Sequence, residues 1–168
     1  MKNMKKIWGI FTIAVILITS SCAFLPAPVK TVEKTFQLFE VSMTWEEAKA
    51  YCESLGGFLA TITTEEEQRY IETVIAGGSM NYYWIGGFCE NDRQFKWITG
   101  EPMNFSAWVW GEPNNYQGNQ DKIVIYRVNN PVTGGGQYRW DDLNNQGIIG
   151  NEPFFSIGNF GFICEWNN

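Results

Sequence analysis

The 168-residue chain carries 18 acidic and 12 basic residues, a net charge of −6, and no histidine. The acidic balance repels phosphate backbones and no basic stripe offsets it, which excludes nucleic acid as a partner. Without histidine the Ser-His-Asp and Cys-His arrangements and most zinc sites drop out, leaving carboxylate chemistry. The length suits one domain, and 8 Trp, 12 Phe and 7 Tyr allow it a large core.

Residues 1–6 hold three lysines and residues 7–18 are almost wholly apolar, too short for a membrane span but suited to a secretory signal. Thr19-Ser20-Ser21-Cys22 follows and resembles the lipobox of bacterial lipoproteins, in which the cysteine is lipidated and becomes the new N-terminus. Thr19 stands where an aliphatic residue is usual, and ordinary cleavage after Ala23 is the alternative. Either route exports the chain, to a bacterial outer membrane or cell surface or as a secreted or periplasmic protein. Removing residues 1–21, with Lys2, Lys5, Lys6 and no acid, brings the charge to −9. Residues 22–34, with Pro26 and Pro28, read as a tether, and a domain is expected over 35–168.

Phe36, Leu38 and Phe39 predict a first strand. Thr44-Trp45-Glu46-Glu47 is a capping box that opens a helix with Trp45, Ala48, Cys52 and Leu55 on one face, closed by Gly56-Gly57. Thr64-Glu65-Glu66-Glu67 opens a second helix to about Ala76. Apolar or aromatic runs at 82–88, 95–98, 122–128, 138–140 and 161–166 read as strands joined by long loops.

Two segments stand out, Trp108-Val109-Trp110-Gly111-Glu112-Pro113-Asn114-Asn115 and Trp140-Asp141-Asp142. Glu112, Asn114, Asp141 and Asp142 offer the carboxylate and amide oxygens that a hard cation such as Ca2+ prefers. Pro113 could hold a cis bond and fix the turn. The same residues are also ordinary turn chemistry, and an Asp-Asp pair is commonly a solvated loop. Trp84, Trp97, Trp108, Trp140 and Trp166 are expected in the core. Trp110, Tyr116 and Tyr138, beside loop residues, are the aromatics placed for ligand contact.

In chain order these pieces resemble a C-type lectin-like domain. They are Thr44-Trp45-Glu46-Glu47-Ala48 with Cys52, Gly57-Phe58-Leu59-Ala60-Thr61-Ile62, Tyr83-Trp84-Ile85-Gly86-Gly87, Phe95-Lys96-Trp97, Gly111-Glu112-Pro113-Asn114-Asn115, Trp140-Asp141-Asp142 and Phe162-Ile163-Cys164-Glu165. The resemblance implies an α+β fold, two helices flanking antiparallel sheets with a long ligand-binding loop region, and a disulfide between Cys52 and Cys164. The family's second disulfide is missing, Lys122 standing at its first cysteine; residues 143–160 form a longer segment than usual, and Cys89 is expected as a buried thiol rather than an intermolecular partner.

The resemblance also implies calcium-dependent binding of mannose-type sugars through neighbouring hydroxyls. Glu112, Asn114 and Asp142 carry over directly. Gln120 falls where an acid is expected and Asp141 where an amide is. The exchange keeps an acid and an amide for each hydroxyl, giving a metal set of Glu112, Asn114, Gln120, Asp141 and Asp142, of which Glu112, Asn114, Gln120 and Asp141 contact sugar. Asp121 is the rival ligand if the loop register shifts by one. The alternative function is a calcium-independent adhesin that binds host or bacterial surface proteins. An enzyme is not expected, because no pair of carboxyl groups is specified across a scissile bond.

Overall fold

A computed structural model describes residues 8–11, 33–129, 136–147 and 160–167. Cys22, most of the tether and the greater part of the long segment at 143–160 lie outside the described residues.

Strand β1 (Trp8–Phe11) pairs antiparallel with β2 (Lys34–Phe39). Then come α1 (Trp45–Ser54), β3 (Phe58–Leu59), α2 (Glu65–Ala76), β4 (Tyr82–Cys89), β5 (Phe95–Trp97), β6 (Lys122–Asn129), β7 (Gly136–Leu143) and β8 (Phe160–Asn167). The strands form one sheet in the order β1-β2-β8-β4-β6-β7, with β3 on β8 and β5 on β4. The expected antiparallel pairing holds except between β4 and β8, which run parallel and make the sheet mixed.

Both capping boxes form: Thr44 Oγ1 accepts from Glu47 N–H while Glu47 takes the Thr44 N–H, and Thr64 and Glu67 do the same. The helices cover opposite faces of the sheet. Ile71, Val74 and Ile75 of α2 pack with Tyr83, Ile85, Ile123, Ile125 and Ile163, whereas Trp45, Ala48 and Cys52 of α1 pack with Trp84, Val124, Phe162 and Cys164. Successive strand residues therefore enter two different cores, which is why β4, β6 and β8 read as unbroken apolar runs. Leu55 does not join the α1 face: it is the helix C-cap, 45% exposed, and its carbonyl accepts the Trp166 indole N–H. Gly86 admits no side chain, since a Cβ there would stand 2.5 Å from Leu59 O.

Cys52 and Cys164 form the expected disulfide. Cys89 is free and buried, as anticipated, and burial pushes its thiol pKa up.

One ion-pair cluster has no local signature in the sequence. Lys34 Nζ lies 2.9 Å from Glu67, 3.2 Å from Glu165 and 3.6 Å from Glu101, tying β2 to α2, to β8 and to the segment after β5. Burial alone would lower the lysine pKa, but the surrounding carboxylates outweigh it and raise the value. Glu165 is fully buried, and desolvation pushes its pKa up to about 7 against the opposing pull of Lys34 and Thr61. The folded chain thus holds this proton more firmly than the unfolded one. The resulting stability is complete below the ordinary glutamate pKa and is lost as pH rises through about 7. Melting curves from pH 5 to 8 should show the wild-type midpoint falling more steeply than that of Glu165→Gln; parallel curves would contradict the shift.

Candidate functional site

β7 ends the sheet, so one row of its backbone groups faces no further strand. Residues 107–109 meet that row: Trp140 N–H donates to Ala107 O and Val109 N–H to Trp140 O, each at 2.9 Å. The Trp140 side chain is wholly buried, donates its indole N–H to Gln68 Oε1 at 2.9 Å, and meets Trp97, Phe105 and Trp108 edge-on. One aromatic anchor thereby fixes both the strand that carries Asp141 and Asp142 and the segment that leads to Glu112.

From Val109 the chain turns, closed by Glu112 N–H to Val109 O at 3.1 Å, with Gly111 at φ +94° where a side chain would be strained. The Glu112–Pro113 bond is cis. The loop then folds over Asp142. Asp142 Oδ1 accepts from Asn114 N–H at 2.9 Å and Oδ2 from Asn115 N–H at 3.0 Å. Glu112 accepts from the Asn114 backbone and side-chain N–H groups at 2.9 and 2.7 Å. Asn114 Oδ1 and Gln120 Oε1 share the Tyr116 N–H, at 2.7 and 2.6 Å.

Carboxylate oxygens of Glu112, Asp141 and Asp142 thus converge, all within 4.8 Å of one another. Burial and then the Glu112 and Asp142 charges push the Asp141 pKa up to about 7. Burial, followed by Asp142, raises Glu112 as well. Such crowding is costly unless a proton or a cation relieves it. Three carboxylates and neighbouring amide oxygens form the donor set of a hard divalent cation, so the residues fit Ca2+.

Glu112, Asp141 and Asp142 gather, and Asn114 is hydrogen-bonded to Glu112 and Asp142. Gln120 sits beside them, but its side chain is buried with the oxygen turned to the Tyr116 amide. Asp121 points elsewhere, its carboxylate 2.8 Å from Lys122 Nζ. Tyr138 is half-buried against the core; Trp110 is 98% and Tyr116 52% exposed.

Two supports were not foreseen. Arg93, at φ +61°, donates to Gln120 O at 2.7 Å and lies 3.4 Å from Asp142 Oδ2. Asn145 accepts from α1, through its carbonyl from Trp45 N–H at 3.1 Å and through Oδ1 from Glu46 N–H at 2.9 Å. With Lys122 placed over the Trp45 ring at 4.9 Å, these contacts hold the loop region where the second disulfide is lacking. Asn-Asp-Arg reads only as a turn, and Asn145 follows no capping pattern in its own segment, so no local signal marked either residue.

A family model described as the Lectin C-type domain matches residues 41–145. The chain belongs to the C-type lectin domain family. Ladderlectin of Oncorhynchus mykiss is 33% identical over 114 residues, 66% of this chain and 56% of that protein. The chain spans about half the length of the curated relatives it matches. Among solved structures, a calcium-independent type II antifreeze protein has a TM-score of 0.61 at 26% identity, covering 80% of this chain and 86% of that one. A mouse scavenger receptor C-type lectin carbohydrate-recognition domain has 0.60 at 26%, covering 80% and 88%. A carbohydrate-recognition domain and a calcium-independent antifreeze protein therefore share this fold, and the ligand has to be argued from this chain's own side chains. Ladderlectin and the scavenger receptor come from animals, so these comparisons do not support the bacterial source expected from the residues around Cys22.

Proposed function

We propose that this C-type lectin domain binds mannose-type sugars through a calcium ion held by Glu112, Asn114, Asp141 and Asp142, with Gln120 at its margin. The observation that carries the reading is the convergence of three carboxylates beneath the Glu112-Pro113-Asn114 turn. When bound, calcium would supply the charge that two neighbouring sugar hydroxyls coordinate. Glu112 and Asp141 accept hydrogen bonds from those hydroxyls, and Asn114 and Gln120 donate to them. Asn114 Nδ2, now on Glu112 Oε1, and the Gln120 amide are the donors that would turn to the ligand.

A shallow site gripping one sugar through two hydroxyls binds at about millimolar, near −4 kcal/mol. Calcium sites of extracellular modules fill at about 0.1–1 mM. Export with a lipid on Cys22 would place many copies on one surface and raise the effective concentration. Fractionation of wild type and Cys22→Ser tests the anchor: wild type staying soluble rejects it.

A second reading is a calcium-independent, protein-binding adhesin. It is favoured by Arg93, whose guanidinium sets a positive charge against Asp142. A glycan array read with calcium and then with chelator separates the two. Mannose-type spots that vanish with chelation are expected; an array without calcium-dependent spots would overturn the lectin reading.

A further inference from the structure

We propose that Trp110 is a stacking platform for a second sugar residue, adjoining the one held at the acid cluster, so that the site is shaped for an oligosaccharide. This rests on the saccharide reading above.

Among the described residues, Trp45, Trp84, Trp97 and Trp140 are at most 2% exposed, and Trp108 and Trp166 are half-buried against the cores. Trp110 is 98% exposed. The large hydrophobic side chains left exposed among the described residues are Leu55, Trp110 and Tyr116, and the last two bracket Glu112 and Asn114. Two of three thus lie in the one loop that carries the site.

The indole is displayed from a fixed backbone. Trp110 occupies the first corner of the turn closed by Glu112 N–H to Val109 O, and Gly111 at φ +94° supplies the second corner. Val109 is held in turn by Trp140 O. Little order has to be imposed on this backbone when a ligand arrives.

The occupant follows from the surroundings. Trp110 lies two residues from Glu112, a span of about 7 Å at most, so its ring is within reach of a residue linked to a sugar at the acids. A pyranose offers a face of C–H groups for the indole and a rim of hydroxyls for the polar groups around it. Glu112, Asn114, Asn115 and Gln117 follow Trp110 in the same loop and supply oxygen and amide groups, whereas a protein-docking patch would be contiguous and apolar.

Calorimetry in calcium, with methyl α-mannoside and an α-linked mannobiose as probes, tests the platform. Wild type should favour the disaccharide by about three- to tenfold, as expected for one aromatic contact. The ratio should fall to about one in Trp110→Ala and recover in part in Trp110→Phe. Trp110→Ala keeping the wild-type ratio, or wild type showing no preference, overturns the platform while the sugar reading stands. Wild type that binds neither probe in calcium overturns both. Because Trp110 is almost wholly exposed, loss of fold in Trp110→Ala is not expected, and circular dichroism checks it.

Discussion

Asp142→Ala should lower the stability of the calcium-free protein by about 3 kcal/mol and abolish calcium-dependent sugar binding. The carboxylate is fully buried and receives Asn114 N–H, Asn115 N–H and the Arg93 guanidinium. Removing it strips two loop amides of their acceptor and leaves a cation without its partner. A hydrogen bond to a charged group contributes about 1.5–3 kcal/mol, and partial hydration of the freed groups keeps the total below a simple sum. Asp142→Asn keeps an acceptor for one amide and should lose less stability, yet still fail with calcium because a negative charge is gone. Denaturant titration in chelator, paired with sugar titration in calcium, reads both effects. Wild-type affinity in Asp142→Ala would remove this residue from the metal set.

Replacing Cys52 and Cys164 together by alanine should cost about 4 kcal/mol. The bridge closes a loop with a sequence separation of 112, and cross-linking so long a loop restricts the unfolded chain strongly. Both sulfurs are buried in the α1-side core against Trp84 and Phe162, so the variant also loses packing. For a domain of this size the thermal midpoint should drop by roughly 10–20 °C. The β8 to α1 contact through Trp166 and Leu55 survives the change, and β2 still pairs with β8, so the fold itself should persist. A midpoint within a few degrees of wild type would mean that the unfolded chain is already compact.

Much of the scaffold was legible because it is written locally. Thr44 with Glu47, and Thr64 with Glu67, announce two helix starts by chemistry that needs only neighbours. The apolar runs mark strands, and the motif order around them identifies the family. What escaped depends on contacts between distant segments. The run at 138–140 predicted a short strand, but β7 spans Gly136–Leu143, because two aspartates that disfavour strands by propensity are paired with Val124 and Ile123 of β6. By sequence Lys34 reads as the end of a tether, but its charge is satisfied by acids from three distant parts of the chain. Leu55 matched the helical period but fell one residue past the last turn. The acid cluster was read from its residue types, while the arrangement that positions it was not: Arg93 reaches it from the loop between β4 and β5, which carries no metal-site signature.

The order of strands also sets a direction. The main body of the chain enters at β2, while Asp141 and Asp142 ride on β7, four strand spacings away across the sheet. At about 4.8 Å for each spacing that is a separation of about 19 Å. Were the domain held by its leading segment, β2 would lie inboard and β7 outboard, and the rim that carries Asp141 and Asp142 would stand clear of the support and meet whatever approaches from the medium.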